Sequence, residues 1–228
     1  MAPSHPPTAI ETLGEDALLL RFGDGIDIAT NARVHAAATR IAALRPPWLR
    51  DIVPAYASLA LFVALDAFPA TVDALVAAER WVRQQVLDQT GADAQPRRLE
   101  IQVVYGGADG PDLAAVAAHA GLSAGDVVER HASADYTVAM LGFAPGFPYL
   151  LGLDPTLAMP RLQTPRTRVA AGSVGIGGAQ TGIYPRPGPG GWRIIGRTNA
   201  RLFDARSDQP SLLLPGDRVR FVPVDALS

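Results

Sequence analysis

Cysteine is absent from the 228 residues, and so is lysine: all 20 basic residues are arginine. Without a thiol the chain can form no disulfide, no zinc–thiolate or iron–sulfur site and no cysteine nucleophile. Without an ε-amine it can form neither a Schiff base nor a Walker-A phosphate loop. Histidine is scarce: the four residues His5, His35, His119 and His131 have no short ligand spacing, so no metal site is expected. An excess of either charge is missing too. The net charge is −2 and the pI is about 6.1, with no basic stripe to suit nucleic acid. The longest apolar run, Leu59–Leu65, falls far short of the ~20 residues that span a bilayer. The opening Met-Ala-Pro-Ser-His-Pro-Pro has no basic or apolar leader region and reads as a frayed tail. A soluble, cytoplasmic protein is expected, without nucleic-acid or membrane partners.

What is present fits one large domain or two small ones. The first half, to about Gln95, is rich in Ala, Leu and Val. Ala17–Phe22 reads as a strand after a Gly14-Glu15-Asp16 turn, Ile28–Leu44 as a helix, and Ser58–Leu65 as a buried strand. Pro69–Gln89 reads as a helix with Gly91 just past its end. At 100° per residue Val72, Leu75, Val76, Val82 and Val86 share one stripe, which also holds Glu79 within reach of Arg83. Trp81 falls on the opposite side beside Ala74, Ala77 and Ala78, a second apolar face suited to another domain or chain. The order β-β-α-β-β-α suggests a small α/β sandwich.

A linker, Gly91–Pro96, precedes an alternating strand at 99–105. Pro111–Ala120 and Ser123–His131 read as short helices, the second capped by Ser123 with Asp126 at the third position. Tyr136–Leu141 is a strand. From Gly142 to Gly196, Gly and Pro recur so often that no helix longer than about two turns can form. Trp192–Arg197, Leu212–Leu214 and Arg218–Val224 resume strand patterns around a Pro215-Gly216-Asp217 turn. An antiparallel barrel or sandwich with one elaborated loop region fits this half.

Three runs stand out: Gly142–Tyr149, Thr164–Arg168 and Gly172–Pro185. Dense glycine lets a backbone approach a ligand and aim N–H groups at an anion; tight hairpins are the alternative. The Rossmann spacing fails because Gln180 stands where a third glycine belongs. Ala171–Gly175 mimics a nucleophile elbow, yet no helix can follow it through Gly177 and Gly178.

Together with Gly190–Thr198, these runs closely resemble the allophanate hydrolase subunit 1 family, also called the KipI or PxpB family. The resemblance extends over Gly14–Leu18, Tyr105-Gly-Gly, Gly110-Pro-Asp-Leu and Leu214–Phe221, nearly the whole chain. It implies an α+β protein with a small N-terminal α/β domain (1–94) and a cyclophilin-like β-barrel domain (95–228). It also implies a KipA/PxpC-type partner that shares the site, a PxpA-type subunit, and a share in an ATP-dependent 5-oxoprolinase that is inactive as this chain alone, with ATP and Mg2+ bound in this chain or in, or shared with, partner subunits. The alternatives it implies are inhibition of a sensor histidine kinase, or a carboxyltransferase-like role in a urea carboxylase. Lactam opening is uphill against reclosure, because the amine and carboxyl of the product stay at high effective molarity. Coupling to ATP answers that, and the chemistry needs oriented donors, cationic clamps and a proton relay rather than a Lys or Cys nucleophile.

The candidate catalytic residues are Arg166, Gln180, Thr181 and His131. Arg166 offers a planar fork for carboxylate or phosphate, or else a salt bridge. Gln180 and Thr181 offer hydrogen bonds to a lactam amide, or else turn caps. His131 is a proton carrier, or a cation at a helix end. Candidate substrate-binding residues are Phe143, Phe147, Tyr149, Arg161, Gly172, Ser173, Gly177, Gly178, Tyr184 and Arg197, with the aromatics equally suited to be core plugs. His35 and His119 read as structural. Asp135 and Asp204 are possible general bases.

Overall fold

The computed structural model describes residues 7–86 and 96–227. The expected tail at 1–6, the expected helix end at Gln89, the linker at 91–95 and the side chain of Val86 lie outside them. The chain divides into two compact units, Met1–Gln95 and Pro96–Ser228.

The first unit runs β1 (Ala9–Leu13), β2 (Ala17–Arg21), α1 (Ile28–Leu44), β3 (Leu49–Pro54), β4 (Ser58–Val63) and α2 (Ala74–Val86). The strands form one sheet, order β1-β2-β4-β3, antiparallel throughout. Alternation along β2 and β4 puts Leu18, Leu20, Leu59, Leu61 and Val63 on one face, against Val34 and Ile41 of α1 and Ala78 and Val82 of α2. The stripe expected on α2 is corrected here. Leu75 and Val82 of that stripe do pack into the core, but Val72, just before the helix, and Val76 are exposed, and Ala78 with the partly buried Ala74 and Trp81 join the core from the other side. Small residues let the helix sit close to the sheet, and Trp81 then meets Trp48 edge-on at 5.3 Å. Trp81 therefore serves its own domain's core rather than a second apolar face. Asp73 caps the helix by accepting from the Leu75 and Val76 N–H groups, which moves its start from Pro69 to Ala74. Glu79 and Arg83 do pair, at 2.7 Å.

The second unit opens with β5 (Arg98–Tyr105), α3 (Leu113–Ala120), α4 (Ala124–Ser133), β6 (Tyr136–Leu141) and β7 (Pro148–Leu151). It continues through β8 (Arg166–Val169), β9 (Ser173–Gly177), β10 (Gln180–Ile183), β11 (Gly188–Gly190), β12 (Arg193–Arg197) and β13 (Arg218–Pro223). Ser123 and Asp126 form the reciprocal cap of α4. The barrel closes in the order β10-β7-β6-β13-β5-β12-β9. It is not purely antiparallel: β13 runs parallel to β5, from Arg218 beside Arg98 to Pro223 beside Val103. Leu212–Leu214 is no strand. An isolated Phe203–Ser211 bridge forms nearby, while Leu213 drops into the core and Asp217 accepts the Leu214 N–H at 2.7 Å. Between 142 and 196 the sole helical piece among the described residues is a 3-10 turn at Pro155–Leu157.

Inside the barrel, Ile101, Val103, Val138, Leu150, Ile176, Ile183, Val219 and Phe221 pack with Val116 of α3 and Val127 of α4. A second, smaller core sits on the outside of the barrel wall. There Phe147, Val169, Tyr184, Trp192 and Ile194 cluster under the two-stranded ribbon β8–β11.

Candidate functional site

Alternation along β9 and β10 sorts the glycine-rich run into two faces. Val174, Ile176, Thr181 and Ile183 turn inward; Gly175, Gly177, Gln180 and Gly182 turn outward. A Cβ on Gly177 would sit 2.5 Å from the Trp192 indole, and one on Gly182 would sit 2.7 Å from the Pro148 carbonyl and 3.0 Å from the same indole. These glycines seat Trp192 flat on the barrel wall. The N–H groups of the run are spent within the fold: Gly172 donates to Tyr184, Ser173 to Ala170 and Gly178 to Met159, and the strands between them pair with β10 and β12. The expected anion cradle at Gly172–Gly178 is thus a hairpin, the alternative reading of its composition.

Above the glycines stands an aromatic cluster centred on Phe147. Its ring lies 4.9 Å from Tyr149, 5.3 Å from Tyr184, 5.4 Å from Phe143 and 5.5 Å from Trp192. Phe143 is 63% exposed and has φ +63°, and the Ala144 N–H donates back across it to the Gly142 carbonyl at 2.7 Å. That is a γ-turn of the rare positive-φ kind, strained by about 1–3 kcal/mol for a residue with a side chain. An exposed phenyl ring is held there at a cost that burial does not explain.

Two cations border the cluster. The Arg161 guanidinium lies 5.7 Å above the Trp192 ring and pairs with no carboxylate among the described residues. Arg166 donates from Nη2 to Asp112 at 2.7 Å and from Nη1 to the Trp192 carbonyl at 3.4 Å. Asp112, 8% exposed, also accepts the Ile194 N–H at 2.6 Å. The fork of Arg166 therefore fastens β8 to β12, the salt-bridge reading of this residue. Burial raises the Tyr184 hydroxyl pKa despite the Trp192 N–H and the charges of Arg161 and Arg166, so the phenol stays neutral.

The remaining candidates lie elsewhere. His131 has no exposed surface and stacks on Phe221 inside the barrel. The Thr181 hydroxyl donates to the Gly175 carbonyl at 3.0 Å, so it accepts from His131 Nε2–H at 2.9 Å, and Nδ1 accepts the Tyr105 hydroxyl at 2.8 Å. Burial lowers the His131 pKa to about 3. A neutral, sealed imidazole with both nitrogens committed is an interior brace, and it is not brought to the aromatic face. Gly172, Ser173 and Arg197 sit at the far end of β9 from Gly177. Gly172 has φ +78° and its Cβ would strike the Thr198 carbonyl at 1.9 Å, while Arg197 binds Asp109 at 2.8 Å. Asp135 is held by Arg218, which lowers its pKa, and Asp204 by Arg201. Two open depressions of about 400 and 370 Å3 border this far end, along Glu100–Gln102 and Arg197–Asn199.

Sequence reasoning missed Asp112 and Trp192, although both stand inside the motifs Gly110-Pro-Asp-Leu and Gly190-Gly-Trp. Their burial and their partners arise from strands distant in the chain. Among the described residues no group of His, Asp and Glu is arranged to hold a metal, and no helix is long and apolar enough to cross a membrane.

The family model of the carboxyltransferase domain, subdomain C and D, matches residues 8–213. The chain is 44% identical to the 5-oxoprolinase B-subunit of Escherichia coli O157:H7, covering 92% of this chain and 94% of that protein. It is 40% identical to the 5-oxoprolinase B-subunit of Bacillus subtilis (strain 168), covering 94% and 92%. The chain belongs to the PxpB family of 5-oxoprolinase subunits. A crystal structure of TTHA0988 is similar in fold, with a TM-score of 0.77 and 38% identity over 92% of this chain. This chain spans 40% of the length of that one. The residues of the aromatic face fall between Gly142 and Trp192, wholly within the region matched by the carboxyltransferase-domain model.

Proposed function

We propose that this chain is the PxpB component of an ATP-dependent 5-oxoprolinase that opens 5-oxoproline to glutamate, and that it contributes the outer aromatic face to a site completed by partner subunits. The observation that carries this reading is Phe143, an exposed ring in strained backbone, standing over a built aromatic cluster. Such a face is suited to binding and orienting a substrate. The partners are a KipA/PxpC-type subunit and a PxpA-type subunit, in keeping with relatives named as one subunit among others.

ATP with Mg2+ does not fit the residues present. The glycine-rich turns lead into strands rather than a helix N-terminus, and lysine is absent. We assign nucleotide binding to a partner on that ground. This chain's part is to hold the lactam ring against the aromatic cluster, with Arg161 facing the substrate carboxylate, and to keep water off that side of the ring.

The test is reconstitution. The full chain with PxpA- and PxpC-type subunits, ATP and Mg2+ should release glutamate from 5-oxoproline, and none of the three should do so alone. Steady glutamate release by this chain alone, with contaminants excluded by mass spectrometry, would overturn the shared site. A second reading follows from the carboxyltransferase description of the family model: carboxyl transfer onto a urea-like amide. It requires a biotin carrier, so biotin-dependent carboxylation of urea by the same mixture, without glutamate release, would favour it.

A further inference from the structure

Gln180 opens β10 on the outer face of the barrel and is 8% exposed. Its Nε2 is sealed from solvent and meets no hydrogen-bond acceptor among the described residues. A buried donor left without a partner costs about 1–3 kcal/mol, and Met or Leu would fill the same volume without that cost. Its cross-strand neighbour is Gly177, the seat of the Trp192 indole. The adjoining Gly178 is bridged to Met159 by two hydrogen bonds of 3.2 and 2.9 Å. The unpaired amide thus lies beside the aromatic face, at its glycine edge. Its neighbour Thr181 cannot share its work, because that hydroxyl faces His131 inside the barrel.

A carboxamide presents a carbonyl oxygen and an N–H side by side on one edge. Two hydrogen bonds to that edge require a ligand with an N–H and a carbonyl also side by side, as in a primary amide, a urea or a secondary amide in the cis form. Open-chain secondary amides are trans and offer only half of the match. A small lactam ring forces its amide to be cis. We propose that Gln180 reads the amide edge of a lactam, accepting from the ring N–H and donating to the ring carbonyl, and so makes this face favour cyclic cis-amides over open-chain secondary amides. The inference rests on the lactam-opening reading above and adds the residue that recognises the ring. Rotation about the last side-chain torsion, which is broad in glutamine, turns the edge toward the ligand. Ring opening replaces the amide by a carboxylate and an ammonium group, so the paired edge no longer exists in the product and nothing at Gln180 retains it.

The test uses the reconstituted assembly with Gln180→Met beside the parent, assayed on 5-oxoproline and on its N-methyl analogue, which lacks the N–H. The parent should prefer 5-oxoproline at least tenfold in kcat/KM. Gln180→Met should raise KM for 5-oxoproline about tenfold or more, change kcat less than threefold, and shrink the preference to within threefold. Its melting temperature should equal or exceed the parent's, because the unpaired donor has gone. A KM and a preference within twofold of the parent's would overturn the assignment, as would a lower melting temperature with KM unchanged. If the assembly opens no lactam at all, the proposed function falls and Gln180 is judged by binding. Saturation-transfer NMR of 2-pyrrolidone with the same mixture should then show contact in the parent and none in Gln180→Met. Equal contact in both, or none in either, would sink the role of Gln180.

Discussion

His131 Nε2 lies 2.9 Å from the Thr181 hydroxyl inside the barrel, and that bond joins α4 to β10 where no solvent can replace it. Thr181→Val keeps the shape and strands the imidazole N–H. The variant should lose about 1–3 kcal/mol in urea unfolding, while the KM of the assembled enzyme stays within twofold. A large loss of turnover in protein of unchanged stability would return Thr181 to the catalytic list.

The same imidazole makes the barrel acid-sensitive. Burial lowers its pKa from 6.5 to about 3, so the unfolded chain binds a proton that the native state refuses. Stability is therefore complete above pH 6.5 and declines as pH falls, by up to about 1.4 kcal/mol per unit. Urea midpoints measured from pH 7 to pH 4.5 should fall accordingly. Gln at position 131 can still donate toward Thr181 and accept from Tyr105 but does not titrate, so His131→Gln should lose most of that slope. An unchanged slope would place the acid sensitivity in other groups.

Arg166 and Asp112 form one unit with the Ile194 N–H. Arg166→Lys keeps the charge and loses the fork. Its effect should arrive through the ribbon: a lower melting temperature, a higher KM, and near-normal kcat. Asp112→Asn should act likewise, and the double variant should cost less than the sum of the two, since both break the same contact. Full additivity, or a kcat collapse confined to Arg166→Lys, would instead make Arg166 a direct anion clamp.

The order of elements was legible because it rests on local signals: alternation in β5 and β6, the Ser123–Asp126 cap, and glycine and proline excluding helix after Gly142. What those signals could not show was which face of an element the rest of the chain would choose. On α2, hydrophobicity favoured the valine stripe and Val82 is buried, but closeness to the sheet put Ala78 and the long reach of Trp81 in place of Val76. The parallel β13–β5 pair is invisible for the same reason, since alternation is identical in either direction. In the site, adjacent Gln180 and Thr181 were indistinguishable as amide binders until strand alternation turned one out and one in. Arg166 stood out as a cation, and only the fold shows that Asp112, 54 residues away, already holds it.

Gly177→Ala tests the seat of Trp192. The added Cβ would stand 2.5 Å from the indole, against ring atoms that cannot swing aside without disturbing Phe147 and Tyr149. Overpacking of this kind costs about 1–3 kcal/mol. The variant should unfold earlier and shift its tryptophan emission. Unaltered emission and stability would mean that the ring has room to move and that the glycine is not required for it.

Phe143 is where stability and function should part company. A glycine at this position adopts φ +63° without strain, and a ring that is 63% exposed has little burial to lose. Phe143→Gly should therefore leave the melting temperature unchanged or raise it slightly. If the ring exists to meet a partner subunit or substrate, the same variant should weaken assembly or raise KM at least tenfold. Phe143→Leu separates the two effects, since it retains the strain and much of the apolar surface but loses the aromatic edge. Stability, partner affinity and lactam opening should be measured side by side for both variants. A drop in stability with normal assembly and KM would make Phe143 a cap on the Phe147 cluster and remove the exposed ring as evidence for a shared site.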